Sequence, residues 1–461
     1  MTLQTAQRAT PSTPSPSTAG APVVPYVSRF RQDLGRSRWA ALAVLIVWAL
    51  CWFSALRAAD VATRVIGHDT APSISAAERI RTLLSDANGN LANIMLISQA
   101  DPSAFVAAFR TDVSDAEQKL VEAAENITYG DAERVPIVTI MFGVAEYEQL
   151  VGQARALGSV PIALKADDLM RNTILPSTEA LDKANDDQLT AQYQDYLNSK
   201  WRLHGLAWLT SLVALAALGF IQFMIFRNAK RLVNPGLAAA SLVVAAFSLF
   251  AIAALAASDA ELKTAKSDAF DSIYALTTLQ AVANDANATE SYWLLGYDDP
   301  AKRKAYEDLF KSLSREIVGI DLKEANAAEG ARRKFPGLLG DELSNITFEG
   351  ELEAAEATLK AWGVYVAIDG QLRALQISGK HTDAVALDVG LKPGQSDWAF
   401  DQFQKALVRT IQINQDAFDA AIRGSERRIN LFVYGALLIA WLAASGAAWH
   451  GLRQRLREYE F

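Results

Sequence analysis

Residues 227–236, RNAKRLVNPG, decide how the rest of the chain is read. An apolar run over residues 205–226 precedes them and another, 237–257, follows. Each run is long enough to cross a bilayer, which takes roughly 20 helical residues. Arg227, Lys230 and Arg231 crowd a gap too short to be a domain. Basic residues in short loops stay on the cytoplasmic side. Asn234-Pro235-Gly236 supplies a turn, since Pro does not continue the first helix and Gly relaxes the backbone. The stretch reads as a cytoplasmic hairpin joining two membrane-anchored halves.

Two more apolar runs, 39–56 and 431–449, bring the expected spans to four. The chain is 51% hydrophobic yet 21% charged, which suits a few spans carrying large soluble segments better than a channel buried throughout. Residues 1–38 begin Ser-, Thr- and Pro-rich and are expected to be a disordered cytoplasmic segment. The run after them lies too far from residue 1, and is too long, for a cleaved signal peptide.

Charge places the segments. Residues 1–38 carry five basic and one acidic residue, 227–236 three and none, and 450–461 three and two. Residues 57–204 carry 13 basic and 21 acidic, and 257–430 carry 20 and 28. The short basic segments belong inside, the two long acidic ones outside. The expected location is the cell membrane, multi-pass, with both termini cytoplasmic.

The outer segments, 57–204 and 258–430, carry helical stripes. Ile80, Leu84, Ala87, Leu91 and Ile94 recur in steps of four and three, as do Phe105, Phe109, Val113, Ala116 and Leu120. Leu276, Leu279, Ala283, Ala286, Trp293 and Tyr297 form a third stripe, and Phe400, Phe403, Leu407, Ile411, Phe418 and Ile422 a fourth. Such spacing places residues on one helix face. Breaks near 101, 128–136 and 158–176, and near 298, 330–348 and 379–397, divide each segment into four helices. The fold class expected is all-α: four transmembrane helices carrying two tandem up-down-up-down four-helix bundles.

The halves resemble each other. SDANGNLANIMLISQADP ends at Pro102 and NDANATESYWLLGYDDP at Pro300, 198 residues later. Asp-Ala-Asn recurs at 86–88 and 285–287, one residue out of step. Internal duplication accounts for both; a chance likeness between two helical bundles is the alternative.

No catalytic constellation stands in a suitable context. Cys51 is the lone cysteine, and the four histidines are scattered, so neither a disulfide framework nor a multi-cysteine metal site is expected within one chain, and no cofactor. The neighbouring carboxylates Asp167 and Asp168 do not share a helix face and read as solvated surface. The basic clusters lack interleaved aromatics and flank spans, so nucleic acid is not an expected partner. Polar residues in the stripes are the candidates for a ligand or partner site. Asn88, Asn287 and Glu290 could set helix register or line a polar pocket. Trp293, Tyr297, Asp101, Asp298 and Asp299 lie near the turns. On the cytoplasmic side, Arg227, Lys230, Arg231, Arg453 and Arg457 are candidate lipid or partner contacts, with Leu456 and Tyr459 as an apolar stripe.

Residues 288–309, ATESYWLLGYDDPAKRKAYEDL, resemble the helix-turn-helix segment of bacterial chemoreceptor and histidine-kinase sensor bundles. Residues 91–109 match more weakly. Those sensors work as dimers, so two bundles in one chain would make a covalent pseudo-dimer. No kinase or signalling coiled coil follows here. In length, four-span topology and Ala-rich composition the chain resembles the GlnX family of actinobacterial membrane proteins. That resemblance implies a relay from an extracytoplasmic solute-binding lipoprotein for acidic amino acids to a cytoplasmic Ser/Thr protein kinase. The expected function is a non-enzymatic transmembrane signal transducer; a direct small-molecule chemosensor and a scaffold subunit of an envelope complex are the alternatives. A transporter is disfavoured, because the spans lack ionisable residues at mid-depth.

Overall fold

The structure, a computed structural model, describes residues 26–97, 101–127, 130–229, 233–327 and 334–458. Lys230, Arg231 and Tyr459 lie outside the described residues. The helices are α1 (Tyr26–Arg64), α2 (Ala71–Leu96), α3 (Ser103–Glu125), α4 (Asp131–Leu157), α5 (Val160–Leu169), α6 (Leu175–Ala229), α7 (Pro235–Lys263), α8 (Asp271–Leu295), α9 (Pro300–Ile317), α10 (Leu322–Ala327), α11 (Leu338–Ser344), α12 (Glu351–Ile377), α13 (His381–Asp388), α14 (Ser396–Arg428) and α15 (Leu431–Arg457). Three π-helical segments, Val65–Thr70, Met170–Ile174 and Thr264–Phe270, join α1 to α2, α5 to α6 and α7 to α8. Among the described residues there is no strand. Four stretches, Phe30–Leu96, Val160–Asn228, Pro235–Leu295 and Ser396–Arg457, are long and apolar enough to contain a span. The chain is an all-α, multi-pass membrane protein.

The chain divides into two units. One comprises Met1–Cys51, Leu206–Leu249 and Ala436–Phe461, the apolar helices. Within it, Trp48 Nε1 lies 3.1 Å from both Ser211 Oγ and Ser248 Oγ, a buried polar contact among three helices. Asn234 organises the hairpin's end. Its Oδ1 accepts from Gly236 N at 3.0 Å, capping α7, and its Nδ2 donates to Gly451 O at 2.9 Å. Gly236 is needed for approach rather than for backbone freedom: an added Cβ would stand 2.7 Å from Gly451 Cα. Small residues let helix backbones close in this way.

Residues 26–38 depart from the expected disorder, since α1 begins at Tyr26. Phe30 and Leu34, four apart, are both buried, and this apolar pair gives the segment a face to pack.

The other unit comprises Trp52–Gly205 and Phe250–Gly435. It holds two helical bundles. The first packs α2, α3, α4, α5 and the start of α6 around Ile80, Leu84, Leu91, Phe109, Val113, Ile140, Tyr147 and Met170. The second packs α8, α9, α12 and α14, with α10, α11 and α13 as short additions, around Leu276, Leu279, Phe310, Trp362, Tyr365, Phe400 and Phe403. The stripes read from spacing supply these cores. The break expected over 158–176 is confined to Gly158 and Ser159. Gly158 takes the left-handed conformation (φ 59°) that ends α4, and the chain is helical again from Val160. Val364–Ile368, whose alternating apolar residues could also suit a strand, lies inside α12.

The bundles meet chiefly through α2 and α8. An ideal Cβ on Gly89 would stand 3.5 Å from Ala288 Cβ, and these positions are 199 residues apart, the offset between the two Asp-Ala-Asn triplets. The first and third π segments begin at Val65 and Thr264, again 199 apart. The contact between the bundles thus falls at positions separated by the same 199 residues as the two Asp-Ala-Asn triplets.

Candidate functional site

A buried polar network occupies the seam between the bundles. Asn88, on the core face of α2, is 1% exposed. Its Oδ1 accepts from Tyr147 OH of α4 at 3.1 Å and from Tyr292 OH of α8 at 3.0 Å. Its Nδ2 donates to Asp167 Oδ1 at 2.7 Å. Asp167 also accepts from Tyr306 OH of α9 at 2.7 Å and pairs with Arg171 Nε at 2.7 Å. Arg171 then reaches across to Asp285 of α8, making an ion pair between the bundles. Its guanidinium lies 5.9 Å from the ring centroids of both Tyr292 and Tyr306, which stack at 5.8 Å.

Local sequence explains how these groups come together. Asp167 and Arg171 are four apart across the junction of α5 with the π segment Met170–Ile174, so both face inward. A π segment shifts the helical register and often marks functional positions. Burial raises the Asp167 pKa, opposed by the Arg171 charge and the Tyr306 and Asn88 hydrogen bonds. Burial also works against the Arg171 charge, but Asp285 and Asp167 outweigh it and hold the guanidinium protonated.

This corrects the surface reading of Asp167. Adjacent helical residues point about 100° apart, so one of the Asp167–Asp168 pair faces the core. Asp167 is 0% exposed, whereas Asp168 meets Lys302 Nζ at 3.0 Å on the surface. Arg171, Asp285, Tyr147, Tyr292 and Tyr306 were not singled out by spacing. Their partners lie far away in sequence, and the available signal was only that charged and phenolic residues interrupt helical stripes.

A second polar cluster lies within the second bundle and includes Asn287, Glu290 and Trp293. Glu290 is fully buried and accepts from Ser396 Oγ at 2.5 Å. Trp293 packs edge-on to Tyr297 at 5.1 Å, beneath Arg373 at 4.6 Å. The turn residues serve as caps. Asp101 Oδ1 accepts from Ser103 N at 3.0 Å, and Asp299 Oδ1 from Ala301 N at 2.8 Å. Asp298 is exposed. Asn88 therefore belongs to one cluster, Asn287, Glu290, Trp293 and Tyr297 to the other, and the three aspartates to neither. On the remaining candidates, Arg227, Arg453 and Arg457 are exposed and Leu456 is half-buried. Arg455, passed over in the sequence, is the buried arginine of α15, paired with Glu458 at 2.7 Å.

A cavity of about 1010 Å³ opens near the start of α2, lined among others by His68, Arg79, Lys119, Glu122, Asn185 and Phe270. Asn185 is buried, and its Oδ1 has no partner.

Helical bundles in a chain with four candidate spans describe a multi-pass membrane protein with large helical segments beside its spans. Residues 62–194 match the family model described as the actinobacterial sensor domain, which covers the first bundle. The match supports a sensor protein with a sensing or signalling role. Comparison with curated proteins and with solved structures gives no match.

Proposed function

We propose that this chain is a non-enzymatic signal transducer whose outer bundles register an extracytoplasmic signal and whose cytoplasmic segments hand it to a soluble partner. The observation that carries the reading is the Arg171 ion pair across the α2–α8 seam. Buried charge pairs contribute little net stability against an apolar replacement, and setting the register of two elements is their best-attested use. A seam held by discrete polar contacts can have two arrangements, which a transducer needs. Helices α1, α6, α7 and α15 each contain residues of both units, so no loop interrupts the chain between them.

The specific form proposed is a relay, from a solute-binding lipoprotein loaded with acidic amino acids to a Ser/Thr protein kinase. Arg453, Arg457 and Leu456 are the proposed contacts for that partner and for lipid. Crosslinking in membranes followed by affinity capture is expected to recover both a kinase and a solute-binding protein. Recovery of envelope-building enzymes alone would establish the scaffold reading instead. The second reading, a direct chemosensor, draws on the cavity near His68 and Asn185. Binding of a small molecule to the full-length protein without a lipoprotein would favour it.

The proposed orientation has both termini inside. In a Cys51→Ser background, cysteines at the exposed Ser114 and Ser312 should react with a membrane-impermeant thiol reagent in intact cells. A cysteine at Asn228 should stay unlabelled. Labelling at Asn228 alone would invert the topology.

A further inference from the structure

We propose that the second bundle holds a proton-binding site built from Glu290, Asp369, Asp388 and Asp397, whose occupancy sets the packing of α13 and makes this bundle an acid sensor. The proposal takes from the sensor reading only its meaning as a signal. Four elements supply the carboxyls: α8, α12, α13 and the start of α14. Glu290 and Asp388 are 0% exposed and Asp369 4%.

One guanidinium, that of Arg373, stands near Glu290, Asp369 and Asp388; it is bound to Asp369, and its Nη1 has no hydrogen-bond partner. Arg373 Nε donates to both oxygens of Asp369 at 2.9 Å, and its guanidinium stacks on Trp293 at 4.6 Å and Phe310 at 4.8 Å. The other carboxyls have neutral donors. Ser396 serves Glu290, Ser291 Oγ reaches Asp388 Oδ1 at 3.4 Å, and Asn93 Nδ2 reaches Asp397 Oδ2 at 3.4 Å. Glu290 Oε2 and Asp388 Oδ2 are left without partners, although the two side chains face each other. Both are acceptors when ionised, so no hydrogen bond can form between them. A single proton turns one of them into a donor and closes that contact.

Among the described residues no His, Cys, Asp or Glu group has the geometry to hold a metal ion. The cavities of about 410 to 1010 Å³ are lined by other residues. A proton is the ligand this packed site takes without opening.

The electrostatics agree in sign. Burial, reinforced by Asp369 and Asp388, raises Glu290 well above the carboxylate range. Burial and Asp388 do the same for Asp397, and burial raises Asp369 despite Arg373. Burial carries Asp388 up to about 7. Tyr365 and Asn287 also face the cluster, and Glu307 of α9 adds negative charge beside Asp369. An acid whose folded pKa is raised takes up a proton on folding, so its contribution falls as pH rises from about 4 to its folded value. Above about 7, Asp388 becomes a charge beside three other acids. It is the last residue of α13, an eight-residue helix packed on α8, α12 and α14, and this helix is the element to loosen.

Full-length protein in lipid nanodiscs, followed by hydrogen–deuterium exchange and corrected for intrinsic rates, tests this. Between about pH 5.5 and about pH 8.5, protection of residues 381–397 should fall by at least about tenfold, the equivalent of one proton-linked unit. Glu290→Gln with Asp388→Asn should abolish that step. A flat profile in the wild type, or an unchanged step in the folded double variant, overturns the proposal. Infrared difference spectra give a second readout: at about pH 6, where free side chains are ionised, the wild type should show protonated-carboxyl absorption that the double variant lacks, and identical spectra would equally overturn the site. Neither measurement reads signal output, so failure here leaves the sensor reading untouched.

Discussion

Replacing Arg171 by Met is expected to destabilise the bundle unit by roughly 3–5 kcal/mol, the cost of leaving a buried charge without its partner. The arithmetic favours the upper part of that range. Arg171 serves two carboxylates, and the side chains are only 12% (Arg171), 1% (Asp167) and 19% (Asp285) exposed, so water and salt screen the pair weakly. Asp167 would keep its hydrogen bonds from Asn88 and Tyr306 but lose its countercharge. Its pKa, already raised by burial, would rise further, and the loss would be greatest at high pH, where ionisation is enforced. Adding Asp167→Asn and Asp285→Asn to the Met variant removes the stranded charges and should restore most of the stability. Thermal unfolding followed by helical circular dichroism checks both steps. A loss below about 1 kcal/mol for the single variant would place the ion pair among ordinary surface pairs and remove the seam as the holding element.

Legibility in the sequence followed the range of the interactions. Spans and core stripes depend on residues three, four or about twenty positions apart, and these were read correctly; Ile80, Leu84, Ala87, Leu91 and Ile94 are all buried. Asn88 and Glu290 could be singled out because each breaks an apolar stripe. Their partners could not. Tyr292 lies 204 residues from Asn88, and Ser396 lies 106 from Glu290. Asp167 was hidden by its neighbour, since two adjacent acids look like surface until the helix is oriented. The π segments were invisible for another reason. They preserve helical composition while shifting register, so no residue type marks them. One such segment begins 199 residues after another, the same spacing as the two Asp-Ala-Asn triplets.

That recurrence leads to the other large expected effect. In a Cys51→Ser background, cysteines at Gly89 and Ala288 should form a disulfide within one chain and abolish the response to signal. The geometry is favourable: an ideal Cβ at Gly89 stands 3.5 Å from Ala288 Cβ, at the near edge of the range of about 3.5–4.5 Å that disulfides require. An added Cβ at Gly89 makes only an ordinary contact with Ala288, so the substitution itself leaves α2 and α8 in place. The bridge sits about one residue from Asn88, so it pins the helices beside the polar network while leaving Arg171, Asp167 and Asp285 chemically intact. Membrane insertion should be unchanged. Mass spectrometry of the linked peptides verifies the bond, and reduction should restore the response in the same sample. If α2 and α8 shift against each other during signalling, the oxidised protein is fixed in one state and its output no longer follows the stimulus. A fully linked protein that responds as well as the reduced one would show that the signal travels without relative motion at this seam. The first bundle would then have to act on its own spans, and the pairing of two bundles in one chain would need another explanation.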